Sequence, residues 1–101
     1  MRQEIPAKVV SSTVTVVFDY TSDLAIGETL SSATTVAKVY SGADASPSAI
    51  VSGSTSTSGA LATQTITAGV LGVLYELVCT AVSSAGQTLV KPGFLAVVPD
   101  L

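Results

Sequence analysis

Apolar and polar residues change places at almost every step along much of this chain. Between Val9 and Tyr20, Val14, Val16 and Phe18 alternate with Thr13, Thr15 and Val17. A period of two is that of a strand with one face on a core. The same period recurs over Thr34–Tyr40, where Ala37 and Val39 are the inward candidates and Lys38 points out, and over Leu61–Thr67. It is strongest over Leu74–Ser83, where Tyr75, Leu77, Cys79 and Ala81 share a face opposite Glu76, Val78, Thr80 and Val82. Gln87–Val98 reads as a last strand, interrupted by Pro92-Gly93 at a bulge or an edge. Shorter strands are expected at Glu28–Leu30 and Ile50–Val51, and the Ser/Thr-rich run 52–59 is read as an edge strand rather than a loose loop.

Turn chemistry separates these runs. Asp19-Tyr20-Thr21-Ser22-Asp23 breaks the first, 41–48 is a loop by composition, and Ser83-Ser84-Ala85-Gly86 is a hairpin in which Gly86 takes positive φ. Seven or eight short strands at even spacing predict an all-β antiparallel sandwich or small barrel. Residues 1–8 are expected to form an arm, 9–98 the domain and 99–101 a tail.

Composition narrows the picture. At 101 residues the chain is one domain's worth. Apolar residues are 48% of it and aromatic residues 5%, so the apolar content is mostly Val, Ala and Leu. Charged residues are 11%, against about 25% in an average soluble domain, too few for the wet faces of long helices. The net charge is −3, and Arg2, Lys8, Lys38 and Lys91 are scattered. Nucleic-acid binding, which needs a clustered basic face, is therefore not expected. The single Cys79 forms no disulfide within the chain. The start Met1–Pro6 lacks an apolar signal core, which fits synthesis in a cytosol. The longest apolar stretch, Ala68–Val82, is broken by Glu76, two glycines and Thr80, so no membrane span is expected. The mean hydropathy of +0.63 leaves apolar surface that neighbouring subunits could cover.

Two blocks carry a resemblance. Phe18–Ala33 follows the pattern D-Y/W-x-x-D-L-x-x-G-D/E-T-I/L-S-S, and Ala68–Thr88 follows T/S-A-G-x-x-G-x-x-Y-x-L-x-C-T-x-x-T/S-S-A-G. In this order they resemble small immunoglobulin-like proteins of tailed bacteriophages, described as fiber–tail adaptors or as head and neck accessory proteins. The resemblance covers about Val14 to Pro99. It implies an immunoglobulin-like sandwich made in the host bacterial cytoplasm and carried in the virion in many copies. Its partners would be neck, portal, tail, fiber or capsid proteins, or a ring of its own copies. Cys79 stands where one half of the immunoglobulin disulfide would lie, with no partner Cys and no Trp, as in a disulfide-free phage variant.

Catalytic chemistry is not expected. The chain has no His and no Ser-x-x-Lys motif to activate a nucleophile. Asp19, Asp23 and Glu28 lack calcium-loop spacing, and an Asx turn explains them more simply. Cys79 is read as a small buried hydrophobe rather than a reactive thiol. Tyr75 is a candidate corner tyrosine with its hydroxyl on backbone. No cofactor or metal is expected.

Sparse charge suits permanent interfaces. The arm (Ile5, Val9 and Val10) and the tail ending in Leu101 are expected to add to a neighbour's sheet. Tyr20 and Tyr40 flank loops; a role covering the end of the core is the favoured expectation for each, with an interface anchor as the alternative. The leading expectation is a neck or tail adaptor. A capsid decoration protein and a carbohydrate-binding module are the rivals, the latter short of aromatic stacking surface.

Overall fold

The computed structural model describes Ile5 and residues 7–99. Its strands are β1 (Lys8–Val9), β2 (Val14–Asp19), β3 (Leu30–Ser41), β4 (Val51–Ser58), β5 (Leu61–Ile66), β6 (Leu74–Ser83) and β7 (Thr88–Val98), with single 3₁₀ turns at Thr21–Asp23 and Pro47–Ile50. They form a four-stranded sheet in the order β1-β7-β6-β3 and a three-stranded sheet in the order β2-β5-β4. All pairings are antiparallel except β1 with β7. The architecture is the all-β sandwich that the alternation predicts.

Each sheet turns one set of side chains inward. Val16 and Phe18 of β2, Ala62 and Ile66 of β5, and Tyr75, Leu77, Cys79 and Ala81 of β6 meet Ala37, Leu95 and Val97 in one core. Parity decides the polar exceptions too. Gln64 lies between Ala62 and Ile66 on the inward side of β5 and is buried. Lys91 shares the inward side of β7 with Leu95 and Val97 and is also buried.

Gln64 is satisfied by the strand it faces. The register of β4 against β5 shifts between Ser52 and Ser56. The Gln64 amide donates to the Ser52, Gly53 and Thr65 carbonyls at 2.9, 3.2 and 3.1 Å. Its Oε1 accepts from the Thr55 hydroxyl at 2.6 Å. A bulge leaves ladder groups unpaired, and this amide takes them up. The 52–59 run is thus a strand with a built-in irregularity, clipped from beneath.

The N-terminal segment differs from a free arm. Lys8 is already in β1, paired with Val97, and Val9 is paired with Val98. The Val10 amide donates to the Val98 carbonyl at 2.8 Å. The two ends of the domain therefore pair with each other within one chain.

Candidate interaction site

The two sequence blocks meet at one end of the sandwich. The connection from β2 to β3 (residues 20–29) lies beside the β6–β7 hairpin (residues 84–87). Local turn chemistry shapes both. Asp19 Oδ1 accepts from the Thr21 amide at 2.8 Å and the Thr21 hydroxyl at 2.5 Å, the Asx turn expected there. These bonds, hydroxyl first, hold the Asp19 carboxyl below its usual range. The turn starts the 3₁₀ segment, in which the Asp23 amide donates to the Tyr20 carbonyl at 2.8 Å.

Five residues on, the Glu28 amide donates to the Ala25 carbonyl at 3.0 Å, and Glu28 Oε1 accepts from the Ala25 amide at 2.9 Å. Gly27, at φ +84°, supplies the positive φ that a type II turn requires at its third residue. Ile26 is left fully exposed at the tip. The Ser83 hydroxyl, then the Ala25 amide, hold the Glu28 carboxyl below its usual range.

The hairpin is closed by its own first residue. The Ser83 amide donates to the Gln87 carbonyl at 2.8 Å, and the Ser83 hydroxyl accepts from the Ala85 and Gln87 amides at 3.2 Å each. Gly86 takes φ +86°, as expected. Two bonds then lace the hairpin to the other loop. The Ser84 amide donates to the Thr29 carbonyl at 2.7 Å, and the Thr29 amide donates to Ser84 Oγ at 3.2 Å. Between the loops lies an open hollow of about 650 Å³, lined by residues 22–28 with Ser84, Ala85 and Gln87.

Beneath this hollow Lys91 Nζ meets Asp23 Oδ2 at 2.8 Å. It also lies 5.2 Å from the centroid of the Tyr20 ring. The lysine side chain is 7% exposed and the aspartate 37%. The pair therefore pins the loop to β7 from below while the carboxylate still touches water.

Tyr20 takes the core-covering role and not that of an interface candidate. It is buried, and its hydroxyl donates to the Cys79 carbonyl across the sandwich at 2.8 Å. Burial, and then that bond, push its pKa up. It serves as an internal tie and is not a surface anchor. The reason is its place as the first residue after β2, one step beyond Asp19, on the inward parity of Val16 and Phe18. Tyr75 behaves as a corner tyrosine: its hydroxyl accepts from the Val70 amide at 2.8 Å and donates to Asp44 Oδ2 at 2.6 Å. Cys79 is a buried free thiol in mid-strand, as a small hydrophobe would be.

The other candidates fall in different places. Tyr40 is exposed on the outer face of the larger sheet, edge-on to Phe94 with centroids 4.7 Å apart. Val9 is partly exposed in β1. Ile5 and Val10 are half-buried against the chain's own core. Leu101 lies outside the described residues. Sequence reading did not single out the Asp23–Lys91 pair or Gln64, although the parity of β7 and β5 carries the signal for both.

Among the described residues, no three His, Cys, Asp or Glu side chains gather into a metal-holding set. No helix there is long and apolar enough to cross a membrane. What the end of the sandwich offers is shape: two stitched loops, a hollow and an exposed apolar tip on a rigid frame. The podophage GP4 fiber-tail adaptor protein gp77 family matches residues 8–95, and the chain belongs to that family. It is thereby a phage structural protein, a virion component that binds tail and fiber proteins. No curated protein and no solved structure matches the chain.

Proposed function

We propose that this chain is a non-enzymatic adaptor that stands in several copies at the neck or tail and joins fiber to tail, with the stitched loop end as a docking surface. The family match over residues 8–95 carries this reading, because it takes in both loop blocks and every strand but the end of β7. The strand order, β2-β5-β4 against β7-β6-β3, supports an immunoglobulin-like description, in which loops at one end of the frame do the binding. Ile26, fully exposed beside a hollow, is the kind of apolar tip that fills a partner's pocket. Direct contact with nucleic acid or membrane is no part of this function.

Binding of the purified chain to separately purified tail and fiber proteins tests the reading. Binding to both is expected, and Ile26→Asp is expected to weaken one of the two contacts at least about tenfold without lowering the melting temperature. Binding to neither protein contradicts the adaptor role. Full binding by Ile26→Asp contradicts the assignment of the loop end. A mass-spectrometric count in purified particles adds the stoichiometry: tens of copies fit a neck or tail site, and hundreds fit a capsid lattice.

A further inference from the structure

The sandwich has a second unusual surface, away from the loop end. On the outer face of the larger sheet, β3, β6 and β7 present their residues in register. Val36 stands beside Val78 and Pro92, and Thr34 beside Thr80 and Val90. The next row is Lys38, Glu76 and Phe94, with Tyr40 packed edge-on against Phe94. Val36 is 52% exposed, Val90 59% and Tyr40 64%. Water-facing strands of this same chain look different. On the outer face of the smaller sheet, Thr63 stands between Val17 and Ser56, and Thr65 between Thr15 and Ser52. The sequence has a hydroxyl-rich solution for a wet face, and on the larger sheet the row Val36, Val78 and Pro92 does not use it. Contiguous exposed apolar surface marks an interface.

Charge and area point to what covers it. Among the described residues, the face carries two charged side chains, Lys38 and Glu76, of opposite sign and 3.6 Å apart. Those two balance one another, although the chain carries −3. Asp19, Asp23, Glu28 and Asp44 lie at the end of β2 or in the connections after β2 and β3, off this face. Copies of an acidic chain can approach one another without repulsion through such a face. Three strands about ten residues long, at about 3.3 Å per residue and about 4.8 Å apart, give a face of about 500 Å², to which the two-residue β1 adds little. Two such faces bury about 1,000 Å², below the standard size and in the range of weak, reversible contacts.

We infer that this chain self-associates face to face through the outer surface of its larger sheet, with Val36, Val90 and Tyr40 at the contact and the Lys38 and Glu76 charges of two copies balancing one another. The contact is weak for an isolated pair, with a dissociation constant on the order of micromolar, and is reinforced where many copies are held together. The inference does not depend on the adaptor reading, because it is measured on the purified chain alone.

Sedimentation velocity from about 1 µM to about 500 µM tests it, spanning the dissociation constant expected for an interface of this size. The native chain is expected to pass from monomer to dimer. Val36→Glu and Val90→Glu, each on a surface position of a strand, are expected to raise the dissociation constant at least about tenfold. Val17→Glu, on the opposite face, is expected to leave it unchanged. Lys38→Glu and Glu76→Lys each give facing copies like charges and are expected to stay monomeric, while an equimolar mixture of the two recovers a dimer. Circular dichroism and melting temperature check that each variant is folded, and the two charge variants keep the test alive if a valine variant is not. A native chain that is monomeric throughout the range overturns the inference. So does a dimer broken by Val17→Glu and not by the larger-sheet variants, or a charge mixture that does not recover.

Discussion

Each end of the sandwich is closed by a buried tyrosine, and the two tyrosines are tied in different ways. At the loop end, Tyr20 reaches across the core to a backbone carbonyl, that of Cys79, and its ring lies under the Lys91 ammonium. At the opposite end, Tyr75 holds the Val70 amide of its own connection and the carboxylate of Asp44 on another. The first tie joins the two sheets through a partner that does not titrate. The second joins two loops through a partner that does. The difference separates the jobs of the ends. The loop end, which carries the hollow and Ile26, is anchored into the frame and is built to keep its shape in use. The far end is a latch whose strength follows pH.

Truncating either ring breaks the comparison most severely. Tyr20→Ala and Tyr75→Ala are each expected to cost about 3–5 kcal/mol in denaturant unfolding, the range for emptying a large buried aromatic site. A much smaller loss at Tyr20 would mean that the loop end is not tied through it.

The ion pair sharpens the account of the loop end. Asp23→Asn leaves an ammonium 7% exposed without its counter-charge and is expected to cost about 3 kcal/mol. Lys91→Met leaves a carboxylate that is 37% exposed and can rehydrate, so about 1 kcal/mol is expected. Equal losses from the two variants would show that burial is not what distinguishes the partners.

Removing only the hydroxyls gives smaller effects. Tyr20→Phe and Tyr75→Phe are each expected to cost about 1 kcal/mol near neutral pH. The two then part company in acid. The Tyr75 hydroxyl, and after it the Ser46 amide, hold Asp44 below its ordinary value of 3.8. Folded protein therefore binds fewer protons than unfolded protein in that window, and stability rises with pH across it. Asp44's contribution is complete above the ordinary carboxylate range and disappears as pH falls through the lowered value. The cost of Tyr75→Phe is expected to shrink over that range while the cost of Tyr20→Phe stays constant. Asp44→Asn is expected to flatten the acid limb of the stability curve slightly, Asp19 and Glu28 supplying the rest, since both are also held low. Unfolding midpoints from about pH 7 down to about pH 3, which bracket the carboxylate range, check all three.

Much of the frame was legible in the residues because alternation and turn chemistry are local. β2, β3, β5, β6 and β7 stand where the period of two put them, and Gly27 and Gly86 close turns that the sequence marks. The 52–59 strand was legible from its Ser/Thr alternation, but the clip beneath it was not. Gln64 reads as one more polar residue until the parity of Ala62 and Ile66 is imposed on it. Lys91 was hidden in the same way, because a lysine is assumed to face water unless its strand neighbours are consulted. Tyr20 leaves two roles open in the sequence, because a tyrosine in a turn-rich segment resembles a surface residue, and what turns it inward is a carbonyl on another strand 59 residues away. Contacts of that span leave no local pattern. The meeting of the two sequence blocks at one end followed from topology alone.

The central claim, that this chain joins fiber to tail, is tested most directly by particles made without it. Electron micrographs of phage from a host infected with a mutant lacking this gene are expected to show filled heads with tails and no attached fibers, with fibers regained when the chain is supplied in trans. Particles that keep a normal complement of fibers without it would contradict the account.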